Sequence, residues 1–289
     1  MFRNNKLKLL SIMIIVVVVL FSGCQKKVSK KNDDSKKVVK KQTEKVKKSN
    51  EELRKFTKEP LIYNDKSIPV LMYHSVDYEK DNGLRMPKEK FEKQMKYLKD
   101  NGYTTLTLDE FYDFLVNNSP IPKKSIVITL DDGYVDNYNN AYPILKKYGL
   151  KASIFVITGN IDKDKRTVNS KQIKEMAKNG VMCFSHTVKH DQLDKLSYEK
   201  QLDTLKKSKE TLENLLNKDS KYIAYPYGKW NEDTIKAVKK LGYTMAVTTE
   251  GGWTSKDNGI YTLNRVYVSS LYSMDEFIRR ITNPDYNKN

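Results

Sequence analysis

The residues of this sequence best suited to chemistry are two adjacent carboxylates and the only three histidines of the chain. They are Asp131, Asp132, His74, His186 and His190. Each signal is weak by itself, because an Asp-Asp-Gly segment commonly forms a turn and histidines four residues apart occur by chance. All five, however, directly or closely follow short apolar segments. This shared placement favours one common site over five independent structural roles.

These residue types match the needs of a catalytic divalent cation. Such an ion takes three protein ligands and leaves a position for water, and one carboxylate with two neutral imidazoles supplies three ligands. The second carboxylate is then free to act as a base. Binding of one aspartate to a cation also relieves the repulsion between two adjacent anions. The set therefore predicts a metal-dependent reaction of water.

The apolar segments that precede these residues are predicted to be strands of a parallel sheet. Strands are predicted at 69–73, 125–130, 152–157, 181–185, 222–225, 245–248 and 265–268. Amphipathic helices are predicted at 87–101, 109–117, 137–148, 170–179, 198–216 and 232–241, and from Ser273 onward. Ser170 is the predicted cap of its helix, and Glu276 is predicted to complete a capping box with Ser273.

Seven or eight such strand-helix steps in about 230 residues predict a single (β/α) barrel, closed or nearly closed. A doubly wound open sheet is the alternative, but no glycine-rich nucleotide-binding loop follows a predicted strand. The carboxyl ends of barrel strands meet at one mouth, which is where the five chemical residues are expected to lie.

The N-terminal 23 residues have the organisation of an export signal. Basic residues precede an apolar run at 9–21, which is shorter than the ~20 residues that span a bilayer. Ser22-Gly23-Cys24 then resembles the bacterial lipoprotein box. We expect Cys24 to be lipidated and the protein to lie on the extracellular face of the cytoplasmic membrane. A plain signal peptide or an N-terminal anchor helix is the alternative.

The positive charge of the chain is concentrated before the predicted barrel. Residues 1–59 hold 17 basic and 6 acidic side chains, whereas residues 60–289 hold 36 and 30. We therefore predict a disordered, lysine-rich linker at 24–59 and a catalytic domain at 60–289. The nearly balanced charge of that domain argues against nucleic-acid binding. Two cysteines, Cys24 and Cys183, exclude a disulfide framework, and Cys183 is expected in the core.

Three sequence blocks resemble the leading motifs of the polysaccharide deacetylases, carbohydrate esterase family 4. They are TLDDG (129–133), SHTVKH (185–190) and AYPYG (224–228). The resemblance spans about 68–282. It implies an enzyme with a distorted (β/α) barrel that removes N- or O-acetyl groups from polysaccharides with a divalent metal. It also implies a role for each matching residue: Asp131 as base, Asp132, His186 and His190 as metal ligands, and the Tyr227 N–H as oxyanion donor.

The sequence departs from the usual family pattern at two points. Ala224 replaces an arginine, and no histidine follows His190, although the family has a late catalytic histidine. The segments MYHSV (72–76) and LNRVYV (263–268) instead resemble the extracellular poly-β-1,6-N-acetylglucosamine deacetylases. This resemblance implies that His74 replaces the missing histidine, and we assign it as general acid. We expect Arg265 to replace the missing arginine as the partner of Asp131.

Together these features predict a monomeric, membrane-tethered, extracellular N-deacetylase of a GlcNAc-containing polysaccharide, with poly-N-acetylglucosamine favoured. Zinc is the expected ion, with cobalt and nickel as alternatives. Trp253, in a Gly-Gly-Trp loop, is expected either to stack on a sugar or to pack the loop. Peptidoglycan GlcNAc and O-acetylated glycans are alternative substrates. A non-catalytic glycan-binding lipoprotein and a lipoprotein whose basic tail binds wall polymer are rival functions.

Overall fold

A computed structural model describes residues 53–57 and 60–288 of the chain. The predicted signal at 1–23, the lipidation site Cys24 and most of the predicted linker lie outside the described residues. Within the described residues, no helix is both long enough and apolar enough to cross a membrane.

The described residues form ten strands and seven α-helices. The strands are β1 (Leu61–Ile62), β2 (Val70–Tyr73), β3 (Thr104–Thr105), β4 (Ile121–Pro122), β5 (Ser125–Leu130), β6 (Ala152–Val156), β7 (Val181–Ser185), β8 (Tyr222–Ala224), β9 (Met245–Gly251) and β10 (Leu263–Tyr267). The helices are α1 (Lys88–Asp100), α2 (Leu108–Asn117), α3 (Tyr142–Tyr148), α4 (Ser170–Lys178), α5 (Tyr198–Leu216), α6 (Glu232–Lys240) and α7 (Met274–Thr282).

Within this part of the chain, seven parallel strands close into a barrel, in the order β2-β10-β9-β8-β7-β6-β5. The barrel closes where β2 pairs with β5, from Val70 opposite Val127 to Tyr73 opposite Leu130. Short β3 adds to β5 outside the ring, and β1 pairs with β4 as a separate antiparallel ladder. The predicted barrel is confirmed, and the open-sheet alternative is wrong because the two ends of the sheet are hydrogen-bonded to each other.

The barrel strands are buried on both faces. All six residues of β5 are buried: Val127 belongs to the cluster inside the barrel, and its neighbours Ile126 and Ile128 pack in the cluster beneath the outer helices. Phe111 and Phe114 of α2 pack with the interior cluster. Because this cluster includes the first residues of several strands, α2 closes the N-terminal end of the barrel. The opposite, carboxyl end is left for the polar residues.

The predicted elements agree with the structure within a few residues, with three corrections. The segment predicted as one helix at 137–148 is a π-helical turn, Asn137–Ala141, followed by α3, since Pro143 has no N–H to continue the hydrogen-bond ladder. Helix α4 is capped by Asn169 rather than Ser170, in a capping box with Gln172. Ser273 caps α7, but the Glu276 carboxylate binds Arg279 and Arg280 instead of completing the box.

The boundary between linker and domain also differs from the prediction. Arg54 donates to both carboxylate oxygens of Glu110, at 2.5 and 2.6 Å, and to the Thr105 carbonyl at 2.8 Å. Phe56 packs against the interior cluster that includes α2. Residues 53–57, which we call the strap, therefore belong to the packed domain and not to a disordered linker.

Candidate active site

Three potential metal ligands meet beyond the carboxyl ends of β5 and β7. The ligand atoms of Asp132, His186 and His190 all lie within 4.8 Å of one another. Asp132 Oδ1 is 3.4 Å from His186 Nε2 and 3.3 Å from His190 Nε2, and this buried oxygen has no hydrogen-bond partner among the described residues. These separations are long for charge-assisted hydrogen bonds, but two ligands ~2.1 Å from a tetrahedral ion lie about 3.4 Å apart. The three residues therefore fit a divalent cation.

The turn after β5 gives the two aspartates different directions. Asp132 and Gly133 both have left-handed backbone, with φ of 71° and 70°. Aspartate tolerates this conformation and glycine adopts it without strain. A Cβ on Gly133 would lie 2.8 Å from Val156 Cγ1, so the turn packs directly against β6.

The two histidine ligands lie on a loop and not on one face of a helix. Thr187 and His190 have positive φ values of 62° and 59°, which turn the chain so that both rings face Asp132. The His186 ring also contacts a backbone carbonyl, since its Nδ1 is 2.8 Å from Ala224 O. Because a carbonyl accepts only from N–H, His186 carries its proton on Nδ1 and presents the Nε2 lone pair, as metal-binding histidines do.

Asp131 and Arg265 form a buried ion pair beside this cluster. Arg265 donates to Asp131 Oδ1 at 2.8 Å and to Oδ2 at 2.7 Å, and also to the Thr248 carbonyl and to Thr129 Oγ1. Burial acts to raise the pKa of Asp131, but the charge and hydrogen bonds of Arg265 outweigh it and the pKa is lowered. The structure thus pairs Arg265 with Asp131, as expected. Arg265 is fully buried, so it contacts Asp131 and not a polysaccharide.

His74 lies at the same mouth because β2 and β5 are neighbours. Asp131 N–H donates to Tyr73 O at 2.9 Å, which places the residues after the two strands side by side. His74 Nδ1 is buried and has no hydrogen-bond partner among the described residues. Burial lowers the pKa of His74, and the charges of Asp131 and Asp132 only partly oppose this.

Tyr227 lies on a tight turn after β8, with φ of 59°. Its neighbour Gly228 also has positive φ, and a Cβ there would lie 2.1 Å from Thr249 Oγ1. The Tyr227 ring packs edge-on against His190, with centroids 4.4 Å apart, and is more than half exposed. No acceptor within the described residues takes its backbone N–H. That N–H is therefore available to a ligand, as the oxyanion assignment requires.

Trp253 does not belong to this mouth. Its indole N–H donates to Arg280 O at 2.8 Å, and its ring packs against the outer core beneath α7. The next residue, Thr254, pairs with Ile68, which precedes the N-terminal end of β2. The expected sugar contact is therefore wrong, and the loop-packing alternative is right, because the chain after β9 turns back toward the opposite end of the barrel.

The sequence analysis missed a group of residues that surrounds His74 and Asp132. Tyr134 interacts with the Asp132 carboxylate, and burial and that negative charge raise the pKa of Tyr134. Arg85 lies over the Tyr134 ring at 5.2 Å. Asp136 and Asn137 contact the residues that follow β2. The one sequence signal of Tyr134, Asp136 and Asn137 is their closeness to the aspartate pair, in DDGYVDN (131–137), and Arg85 has none.

Comparisons with known proteins agree with this geometry. The family model described as polysaccharide deacetylase matches residues 118–246. A Bacillus subtilis protein named as a polysaccharide deacetylase, YxkH, is 45% identical over 210 residues, which cover 73% of this chain and 74% of that protein. A poly-beta-1,6-N-acetyl-D-glucosamine N-deacetylase of Staphylococcus aureus is 35% identical over 198 residues, which cover 63% of this chain and 67% of that protein.

Solved structures share the fold. The Streptococcus pyogenes deacetylase PplD, solved in complex with acetate, aligns with a TM-score of 0.72 and 36% identity over 75% of this chain and 98% of that one. IcaB from Ammonifex degensii aligns with a TM-score of 0.64 and 24% identity over 74% of this chain and 94% of that one, a likeness of fold. The barrel, the arrangement of the motif residues and the identity over most of both chains lead to one conclusion: this chain belongs to the polysaccharide deacetylases of carbohydrate esterase family 4 and is a deacetylase hydrolase.

Proposed function

We propose that this deacetylase is a metal-dependent N-deacetylase of an extracellular, GlcNAc-containing polysaccharide. The observation that carries the proposal is the division of the aspartate pair: Asp131 is held by a buried arginine, whereas Asp132 presents an unpartnered oxygen to two imidazoles. This difference supports a role as base for Asp131 and a role as ligand for Asp132. A glycan-binding module has no need of this arrangement.

The favoured substrate is poly-β-1,6-N-acetylglucosamine. It is supported by the Staphylococcus aureus relative, which is named for that polymer and matches this chain over two thirds of its own length. The absence from this sequence of a histidine after His190, together with the presence of His74, also supports this subgroup. Peptidoglycan GlcNAc and O-acetylated glycans remain the alternative substrates.

Asp132, His186 and His190 would hold the cation, with zinc expected and cobalt or nickel as alternatives. A divalent cation at this position supplies Lewis acidity, which lowers the pKa of water and polarises the acetyl carbonyl. His186 is prepared for this role because Ala224 O takes its Nδ1 proton and fixes the direction of Nε2.

The residues of the chain account for the proton transfers. Asp131 takes a proton from the attacking water, and Arg265 keeps this carboxylate ionised and oriented. The Tyr227 N–H donates to the oxygen that becomes negative as the carbonyl is attacked. The amine must gain a proton before it leaves, and His74 delivers it. Because burial lowers the pKa of His74, the imidazole must gain a proton before it can deliver one. Asp131 passes on the proton that it took from water, so that after each turnover Asp131 is again ionised and His74 has given its proton to the amine.

We also propose that the enzyme works outside the cytoplasmic membrane, tethered by lipidated Cys24. The export signal and the lipoprotein box support this location. The Cys24→Ser variant should fail to incorporate radiolabelled fatty acid and should be released or remain unprocessed. Equal labelling of Cys24→Ser and native protein would contradict the anchor and leave the enzymatic proposal intact.

The substrate test compares products from several acetylated polymers. The protein without its first 45 residues is loaded with zinc and given poly-β-1,6-N-acetylglucosamine, peptidoglycan and an O-acetylated xylan, and free amine and acetate are measured. We expect equal amounts of amine and acetate from the first polymer, loss of both after chelation, and their return with zinc. The Asp131→Asn variant is the matched inactive control. Acetate without amine would indicate an esterase, and no product from any polymer would support the glycan-binding rival.

A further inference from the structure

We propose that Asp136, Asn137 and Asn140 form a clamp that positions His74 for proton transfer. This inference rests on the proposed role of His74 as general acid. None of the three side chains is a metal ligand or a base in the proposed reaction. Their role is to fix the backbone that carries the imidazole.

The clamp is needed because the His74 ring has no hydrogen bond of its own. Its Nδ1 is buried without a partner, and no residue in the described part of the chain hydrogen-bonds to the ring. His186, by contrast, is oriented by a carbonyl on its Nδ1. A catalytic histidine requires a defined ring orientation. The orientation of the His74 ring must therefore come from packing and from the position of its backbone.

Three consecutive residues, 74–76, are held by side chains from the turn after β5. Asn137 Nδ2 donates to His74 O at 2.8 Å. Asp136 accepts from Val76 N–H at 2.7 Å and from Ser75 Oγ at 2.8 Å. The segment that carries His74 is therefore fixed on its carbonyl, side-chain and amide groups.

A fourth contact and the form of the turn complete the clamp. Asn140 Nδ2 donates to Val76 O at 2.9 Å. Asn137 and Asn140 lie in the π-helical turn 137–141, a conformation that occurs often at functional sites. The same turn begins only a few residues after Asp131 and Asp132. One rigid segment thus carries the base and a ligand and also holds the segment that bears the acid.

The clamp is buried, which makes it sensitive to substitution. Asn137 is fully buried and Asp136 is nearly so. Buried polar groups are retained at a desolvation cost and need partners with good geometry. From the other side, Arg85 donates to Ser75 Oγ at 2.8 Å and lies 3.7 Å from Asp136 Oδ2, so the buried carboxylate has a counter-charge.

The test is the Asn137→Ala variant, assayed on poly-β-1,6-N-acetylglucosamine and on 4-nitrophenyl acetate. The amine leaving group needs a proton and the nitrophenolate does not. We expect kcat for the amide to fall about 10–100-fold, as for a misplaced catalytic group, with little change for the ester and full zinc content. In a His74→Ala background, Asn137→Ala should cause no further loss on the amide.

Gln201→Ala is the matched control. Gln201 is also a fully buried amide that donates to a backbone carbonyl, Leu196 O at 3.1 Å, but it lies on α5, outside the clamp. Its loss should lower stability without an amide-selective effect. If Asn137→Ala does not fold, the partly buried Asn140→Ala replaces it.

Two results would overturn the clamp. The first is an equal fall in kcat on the amide and on the ester in Asn137→Ala. The second is a fall in kcat on the amide that adds fully to that of His74→Ala in the double variant. Both would indicate that Asn137 has a structural role alone. The His74→Ala single variant separates this failure from that of the proposed function. If it hydrolyses the amide at the native rate, the general-acid assignment is wrong and the clamp falls with it. If it is impaired and Asn137→Ala is not, the clamp alone is wrong.

Discussion

Adjacent residues of one chemical type acquire different chemistry in this protein through their neighbours. Asp131 is paired bidentately with Arg265, whereas Asp132 faces His186 and His190. The pKa values of both carboxyls are lowered against the effect of burial, but by different partners. Asp131 stays anionic because of a permanent cation, and Asp132 because of imidazoles that a metal ion can use as ligands.

The division of roles between the carboxylates predicts different losses on amide substitution. Asp131→Asn should retain zinc and lose activity about 10²–10⁴-fold, because it removes a general base. Asp132→Asn should lose zinc first, with activity partly restored by excess ion. Bound zinc after dialysis and deacetylation rate measure the two effects. Indistinguishable zinc affinities would contradict the assignment of base and ligand.

Zinc affinity should rise with pH because protons compete for His186. Burial acts to lower the pKa of His186, but the nearby carboxylates of Asp132 and Asp131 outweigh burial, so the pKa is raised. A ligand must be neutral, so protonation below this pKa weakens binding. Below that pKa, the dissociation constant for zinc should fall about tenfold for each unit that the pH rises, because binding releases one proton. Competition with a zinc chelator measures it, and a constant independent of pH between about 6 and 8 would contradict this.

At the scale of elements, tight turns at the strand ends determine where the chemical groups point. The turn after β5 has positive φ at Asp132 and Gly133, the loop after β7 at Thr187 and His190, and the turn after β8 at Tyr227. Positive φ lets the chain reverse within two or three residues, so a side chain remains at the mouth and is not carried away on the next helix.

Gly133→Ala tests how much the β5 turn depends on glycine. The new Cβ would meet Val156 at 2.8 Å in addition to the cost of a left-handed alanine. We expect the free energy of unfolding to fall by about 2–4 kcal/mol. Gly149→Ala is the control, because Gly149 also has a positive φ but an added Cβ would meet nothing within 4 Å. Its free energy of unfolding should fall by only about 1–2 kcal/mol. Urea unfolding measures both, and equal losses would show that contact with Val156 is unimportant.

At the scale of the whole molecule, the strap packs against the end of the barrel that is opposite the candidate active site. Arg54 of the strap donates to Glu110 of α2, and Phe56 packs against the interior cluster that includes residues of α2. Helix α2 closes the N-terminal end of the barrel. The three potential metal ligands lie at the carboxyl end. The strap, the first described segment of the chain, therefore lies at the face away from the catalytic mouth.

Removal of the strap's arginine should affect stability and leave catalysis unchanged. Arg54→Ala leaves the buried Glu110 without its charged partner. Because Arg54 is itself part-exposed, screening reduces the effect, and we expect a loss of about 1–2 kcal/mol in unfolding free energy. Arg166→Ala is the control, since its ion pair with Asp164 is on the surface, and it should cause no measurable change. If Arg54→Ala is fully folded in the assay and its kcat still falls, the prediction that the strap does not affect catalysis is wrong.

Sequence alone determined the features that depend on short stretches of chain. Alternating apolar segments predicted the barrel strands, because a strand buried on both faces must be apolar throughout. The motif blocks predicted Asp131, Asp132, His186 and His190 at the strand ends, and the resemblance suggested the pairing of Arg265 with Asp131, 134 residues apart. These predictions succeeded because parallel strands bring their carboxyl ends together whatever lies between them.

Tertiary structure alone decided the features that depend on long-range packing. The pairing of β2 with β5 closes the barrel, and the return of the chain after β9 removes Trp253 from the mouth. The strap and the clamp on His74 join residues that are far apart in the chain, 51 positions for Arg54 and Thr105 and 63 for His74 and Asn137. Neither has a repeating pattern or a distinctive spacing. Such contacts are selected by the geometry of the closed barrel, because a polar side chain finds its partner only after the core has fixed both backbones.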